Sequence, residues 1–260
     1  MDCSQRFAGR TRALVGYSTL RVAVASANHY NLDSPIAGAR PMILPRHSAL
    51  RFAFRFAVTI ALAIPALAPA RADPGAPVLL IVGDSLSAGY GLAKGAGWVD
   101  LLAARIDGQH LSWRVVNASI SGDTTAGGRA RLPALLAQHK PAVVIVELGA
   151  NDGLRGGNLR STKDNLDAMM AAVRKSGAKA LVVGMKLPPN YGPAYTREFD
   201  ALFGEVAKSH NAALVPFFFA GFGESDDWFQ ADRFHPNAAA QVKLLDNVWP
   251  VLSPLLAKAR

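Results

Sequence analysis

The chain has 260 residues, half of them apolar, and a formal net charge of +9. That length and apolar content allow a sizeable core and exclude wholesale disorder. Nine Arg against two acids, Asp2 and Asp33, lie up to Ala72, so the remainder carries only +2. Its charges are interspersed and form no basic stripe for releasing counterions from phosphates, which excludes a nucleic-acid partner. A single cysteine, Cys3, sits in the basic leader and removes disulfides and a catalytic thiol from the body. The six histidines, His29, His47, His110, His139, His210 and His235, form no pair with metal-ligand spacing on one helix face. The sequence therefore predicts no metal and no cofactor.

In chain order, residues 1–41 carry Arg with little periodicity and read as a non-native extension, with translation starting at Met42, or as a transit peptide. Residues 42–72 read as a signal peptide: Arg46, Arg51 and Arg55 precede the uncharged run Phe56–Ala70, and Ala70-Arg71-Ala72 supplies small residues for cleavage after Ala72. The competing reading is a membrane anchor. An apolar run of about 15 residues, broken by Pro65, is short of the ~20 needed to span a bilayer. The sequence thus predicts a periplasmic or secreted protein with no stable anchor after cleavage. It specifies no oligomeric state.

A regular pattern then occupies residues 77–258. Continuous apolar runs at Val78–Val82, Val115–Asn117, Ala142–Leu148, Ala180–Met185 and Ala213–Phe217 predict parallel strands covered on both faces. Between them, Leu166, Met169, Met170 and Val173 repeat at helical spacing, as do Leu132, Leu135 and Leu136; these stripes read as core. Alternation of strand and helix predicts one three-layer α/β/α domain with a central parallel sheet of about five strands, flavodoxin-like in type.

Open parallel sheets carry chemistry at the carboxyl ends of their strands. Ser85 follows the first predicted strand between Gly83 and Gly89, where an isolated serine would be read as a helix cap. Gly122 lies after the second and Asn151 after the third, either an amide donor into the crevice or a cap. Asp232 stands three residues before His235, so one loop turn brings the carboxylate to Nδ1 and leaves Nε2 to face a serine. Pro236 suits the first turn of the last helix. Together these supply a nucleophile, a base, an orienting acid and oxyanion donors. Asp84, Asp123 and Asp152 read as acceptors that organise their loops. The segment around Leu154, Gly156 and Gly157, and the loop bearing Pro189 and Tyr191, read as walls of an acyl groove, the first of them mobile, or as ordinary surface connections.

Five blocks carry a resemblance: GDSLSAGYGL (Gly83–Leu92), VVNASISGDTTAGGRARLPALL (Val115–Leu136), ELGANDGLRG (Glu147–Gly156), LPPNYGPAYTREF (Leu187–Phe199) and DRFHPN (Asp232–Asn237). They resemble the SGNH (GDSL-type) hydrolases, above all the exported bacterial branch of arylesterases, acyl-CoA thioesterases and lysophospholipases. The resemblance implies Ser85 as nucleophile, His235 as general base, Asp232 as its orienting acid, and Ser85 N–H, Gly122 N–H and the Asn151 amide as oxyanion donors. It implies a small-molecule acyl ester or thioester as substrate. Arg233 departs from the glycine common in the family and could crowd or charge the cleft rim; Ala150 replaces another. Alternatives are an SGNH carbohydrate esterase, an acyltransferase, or a non-catalytic module of the same fold. No G-x-S-x-G elbow is present, which disfavours the α/β-hydrolase fold.

Overall fold

A computed structural model of the chain describes residues 75–257. The predicted leader, signal peptide and cleavage site lie outside these residues. Strands form at the predicted apolar runs: β1 (Val78–Gly83), β2 (Arg114–Asn117), β3 (Val143–Glu147), β4 (Lys179–Val183) and β5 (Ala213–Val215). All pair in parallel, in the order β2-β1-β3-β4-β5. Every residue of β1 and β3 is buried, whereas β2 at the sheet edge is partly exposed. β5 ends two residues earlier than predicted because Pro216 has no N–H to continue the ladder.

The helices are α1 (Ser85–Ala88), α2 (Trp98–Gly108), α3 (Thr125–His139), α4 (Ala150–Leu154), α5 (Leu159–Lys175), α6 (Pro193–His210) and α7 (Gln241–Ala257). α3, α5 and α6 pack side by side as one layer, and α2 packs with α7 as the other. Right-handed crossovers account for the division: β1 to β2 runs one way across the sheet, and β2 through β3 and β4 to β5 runs the other. The predicted stripe of α5 is the buried one, with Leu166, Met169, Met170 and Val173 all sealed in the core. Each such side chain contributes about 1.5–3 kcal/mol on leaving water. Because β1 leads to β2 on one side and lies against β3 on the other, a crevice opens at their carboxyl ends, the topological switch point where such sheets bind ligands.

Candidate active site

Ser85 is the first residue of α1, a single turn that starts as soon as β1 ends. Asp84 caps that turn by accepting the Leu86 N–H at 3.0 Å, and Gly89 closes it at φ +74. The Ser85 N–H, at the start of the turn, has no partner within its helix.

The loop before α7 brings His235 across the molecule to the serine, with Nε2 2.8 Å from Ser85 Oγ. His235 Nδ1 is 2.7 Å from Asp232 Oδ2. An ionised carboxylate only accepts, so Nδ1 carries the proton and Nε2 is free to take one from Ser85. Asp232 Oδ1 also accepts the N–H groups of Phe234 and His235, at 2.9 and 3.0 Å. Partial burial raises the Asp232 pKa, but these backbone bonds, with the imidazole bond and charge, outweigh it and hold the carboxyl down at about 2. The acid therefore stays ionised throughout the range in which the imidazole works. Between the two, Arg233 adopts φ +59, which explains why glycine suits the position. Its side chain is 76% exposed and turns to Asp226 at 3.5 Å; it does not crowd the serine.

Gly122 sits in the turn between β2 and α3 at φ +79, and no acceptor among the described residues takes its N–H. Asn151, in the first turn of α4, directs Nδ2 to Asp123 O at 2.9 Å and to Asp84 Oδ2 at 3.1 Å. The three predicted oxyanion groups thus come from the ends of β1, β2 and β3. A profile of the GDSL-like lipase/acylhydrolase family matches residues 81–242, the segment that carries all of these groups. The chain belongs to that family.

Its relatives agree with that membership. Esterase TesA of Pseudomonas aeruginosa is 55% identical over 181 residues, covering 70% of this chain and 90% of that protein. A protein of Escherichia coli named as thioesterase, protease and lysophospholipase is 44% identical over 181 residues, covering 70% and 86%. An arylesterase of Vibrio mimicus is 41% identical over 163 residues, covering 63% and 82%. Among solved structures, that of TesA superposes with a TM-score of 0.67 at 54% identity, covering 68% of this chain and 99% of that one. The psychrotrophic esterase EstA from Pseudoalteromonas, in a structure inhibited by monoethylphosphonate, gives 0.66 at 39%, covering 69% and 98%.

Beneath the serine of this GDSL-like acylhydrolase lie two buried carboxyls, Asp84 and Glu147, of which the sequence singles out only Asp84. Glu147, at the last position of β3, is fully buried; its Oε2 accepts Ser87 Oγ–H at 2.7 Å and the Asp84 N–H at 3.4 Å. Trp98 Nε1 donates to Ser87 Oγ at 3.2 Å, tying α2 into the chain of bonds. Glu147 Oε1 has no hydrogen-bond partner among the described residues. Burial, reinforced by the charge of Asp84, pushes the Glu147 carboxyl well above its ordinary range. Burial likewise raises Asp84 to about 6, against its bonds to Leu86 and Asn151 and the charge of His235. The cluster also fixes Gly83: a Cβ there would lie 2.7 Å from Ser87 and 2.8 Å from Glu147. Close approach is what demands glycine at this strand end. The one signal in the sequence was an acid ending an otherwise apolar run, VVIVE.

Asp123 accepts within its loop from Thr124 N–H and also from Arg131 on α3, whereas Asp152 accepts from the N–H and hydroxyl of Thr125, 27 residues away at the start of α3. The histidine loop rests on two amides that the sequence reading missed. Gln230 Nε2 reaches Tyr90 O at 2.9 Å and Pro236 O at 3.2 Å. Gln241, buried at the start of α7, joins Pro236 O at 3.2 Å to Trp98 N–H at 3.0 Å. Pro236 is not in the first turn of α7 as predicted. It pairs with Phe229 in an isolated antiparallel bridge, and Asn237 instead caps a short 3-10 turn leading into the helix. Asn237 wins because its side chain accepts two exposed N–H groups, which proline cannot do.

The predicted groove residues occupy the loops after β3 and β4. Tyr191 donates its hydroxyl to Leu154 O at 2.8 Å, and Tyr195 donates to Gly157 O at 2.7 Å, so the two loops are bonded to each other. Pro189 begins the 3-10 turn Pro189–Tyr191. Gly156 needs its φ of +64, and Gly157 packs so that a Cβ would meet Asp152 O at 2.8 Å. These bonds brace the segment that the sequence reading expected to be mobile. A shallow concavity beside the serine has a different lining, including Leu86, Tyr90, Leu92, His235 and Pro236, and none of the five predicted groove residues.

Proposed function

We propose that the protein is an exported serine esterase that cleaves carboxylic esters and thioesters through an acyl-enzyme on Ser85. The observation that carries this reading is the continuous relay from Ser85 Oγ through His235 to Asp232, at 2.8 and 2.7 Å. His235 Nε2 takes the Ser85 proton as Oγ bonds to the acyl carbon. The carbonyl oxygen becomes an oxyanion, received by Ser85 N–H, Gly122 N–H and the Asn151 amide. Asn151 then exchanges its longer bond, that to Asp84, for one to the oxyanion. The C–O or C–S bond to the leaving group breaks, and His235 returns the proton to the departing alcohol or thiol. Water, activated by His235, adds to the acyl-enzyme and releases the acid and free Ser85.

Relatives named as esterase, thioesterase, lysophospholipase and arylesterase support acyl esters and thioesters as substrates. An acyl chain is taken along the Leu154, Gly156 and Gly157 segment and the Pro189–Tyr191 turn. Tyr90, Ile120 and Phe234, each more than half exposed, add apolar surface on the loops that carry the site. Export is supported by the order of basic, apolar and small-residue regions ending at Ala72. No helix among the described residues is long and apolar enough to cross a membrane.

The deciding experiment is a panel of p-nitrophenyl esters of graded chain length, acyl-CoA thioesters, lysophospholipids and acetylated sugars, run on wild type and Ser85→Ala. Turnover of acyl esters and thioesters is expected in the wild type alone, with a fluorophosphonate probe labelling Ser85. Preference for acetylated sugars would redirect the substrate, and wild-type turnover by Ser85→Ala would remove the mechanism. N-terminal sequencing of the exported protein is expected to begin at Asp73; a stable product retaining Phe56–Ala70 would overturn the export assignment.

A further inference from the structure

We propose that Arg131 is a positioning residue whose guanidinium sets the oxyanion hole by tying the loop from Ala118 to Asp123 to the end of the nucleophile strand. The inference rests on the reading of Ser85 N–H, Gly122 N–H and Asn151 as the oxyanion donors. Arg131 projects from α3 with three separate bonds. Its Nε donates to Asp123 Oδ2 at 2.8 Å, Nη1 donates to Ala118 O, and Nη2 donates to Gly83 O at 3.3 Å. Together the three acceptors bear on all three donors of the hole. Gly83 directly precedes the Asp84–Ser85 turn, so its carbonyl fixes the strand end from which the Ser85 N–H projects. Ala118 and Asp123 bracket the turn that presents the Gly122 N–H. The Asp123 carbonyl accepts Asn151 Nδ2 at 2.9 Å, so holding Asp123 also holds the amide.

The surroundings favour a purpose beyond general stability. The Arg131 and Asp123 side chains are only 20% and 10% exposed, so this pair is largely withdrawn from water. Desolvation of that kind often outweighs the Coulombic gain, which makes the pair weak as a source of stability. What a guanidinium supplies is a planar fork with fixed donor directions, able to satisfy three acceptors in one geometry. Gly127 makes room for the arrangement, since a Cβ there would lie 2.0 Å from Asp123 Oδ1. Lysine, a single point of charge, could keep Asp123 company but could not bridge Ala118 and Gly83 as well.

The test compares wild type, Arg131→Lys and Arg131→Ala in steady-state hydrolysis of a p-nitrophenyl ester, with active sites counted by fluorophosphonate and folding checked by circular dichroism. Removing one oxyanion donor outright costs about 10²–10³ in kcat, so misplacing the donors is expected to lower kcat by roughly tenfold to a hundredfold. KM should stay within about twofold, because the loss falls on the transition state and not on ground-state binding. Guanidinium ion, added to Arg131→Ala well below denaturing concentration, should restore part of the lost kcat. A purely structural role would lower the melting temperature and leave kcat per active site unchanged. Should Arg131→Ala not fold, Arg131→Lys carries the test, since it retains a cation beside Asp123. A folded Arg131→Lys or Arg131→Ala protein with wild-type kcat overturns the inference. The catalytic reading has its own control in Ser85→Ala: activity there would remove the hole's premise, whereas its loss beside an unimpaired Arg131 variant would sink this inference alone.

Discussion

At the scale of single residues, the site separates groups that react from groups that hold them. Asp232→Asn keeps the shape of the loop, but an amide can bind the imidazole in the wrong tautomer, leaving Nε2 protonated and unable to accept from Ser85. We expect kcat to fall by about 10⁴, as for other triads of this kind. His235→Ala should be as severe, and combining it with Ser85→Ala should add little, because the two act as one unit. Asn151→Ala is a milder lesion, expected to cost about 2.7–4 kcal/mol of transition-state stabilisation, since two backbone donors remain. Single-turnover acylation rates for each variant check this ordering; an Asn151→Ala protein as dead as Ser85→Ala would contradict it. Arg233, strained at φ +59 and turned out to Asp226, touches none of these groups. Arg233→Gly is accordingly expected to retain wild-type turnover.

At the scale of elements, the coupling of the loops after β3 and β4 through two tyrosine hydroxyls matters most. Tyr191→Phe and Tyr195→Phe keep the rings, which stack with centroids 6.4 Å apart, and delete only the hydroxyl bonds to Leu154 O, Gly157 O and, at 3.5 Å, Gly153 O. Each lost bond is worth about 0.5–1.5 kcal/mol, too little to unfold the domain but enough to loosen the loop. The double variant is expected to change the ratio of short-chain to long-chain ester rates, read as kcat/KM across the series, while short-chain kcat persists. An unchanged profile would separate this loop pair from substrate choice. Alanine at Gly157 would be a poorer probe, because its Cβ meets backbone and disturbs the fold along with the loop.

At the scale of the whole molecule, the buried carboxyls link stability to pH. Asp84 and Glu147 both have folded pKa values above their ordinary 3.8 and 4.5. Such a group binds its proton more tightly when folded, so its contribution is complete below the unfolded value and is lost as pH rises through the folded one. For Asp84 the window runs from 3.8 to about 6, and for Glu147 it opens at 4.5 and runs upward. Asp232 acts in the opposite sense, its contribution being lost only as pH falls from 3.8 through about 2, outside that window. Melting temperature is therefore expected to decline as pH rises from 3.8 through about 6, and Glu147→Gln should flatten that decline by removing one acid and its repulsion of Asp84. A variant with the wild-type slope would show that the pair is not its source.

The strands, the α5 stripe and the order of the catalytic loops were legible in the sequence because each depends on neighbours along the chain. A continuous run such as VVIVE needs covering on both faces, and alternation of such runs with helical stripes leaves few topologies. Ser85, Gly122 and Asn151 stood out because strand ends are where a parallel sheet places its chemistry, and Asp232 and His235 because three residues separate an acid from an imidazole. What only the tertiary structure decided was which side chains from distant segments meet. Gly83 and Ser87 gain their meaning from Glu147, 60 residues beyond Ser87. Gln241 matters through Trp98, 143 residues away. Arg131 reads in sequence as one more basic residue on a helix, and only the closing of α3 over the ends of β1 and β2 turns it toward Gly83, Ala118 and Asp123. Periodicity reports whether a face is buried, but a polar partner is chosen by direction and distance in space, and those exist only once the sheet has formed.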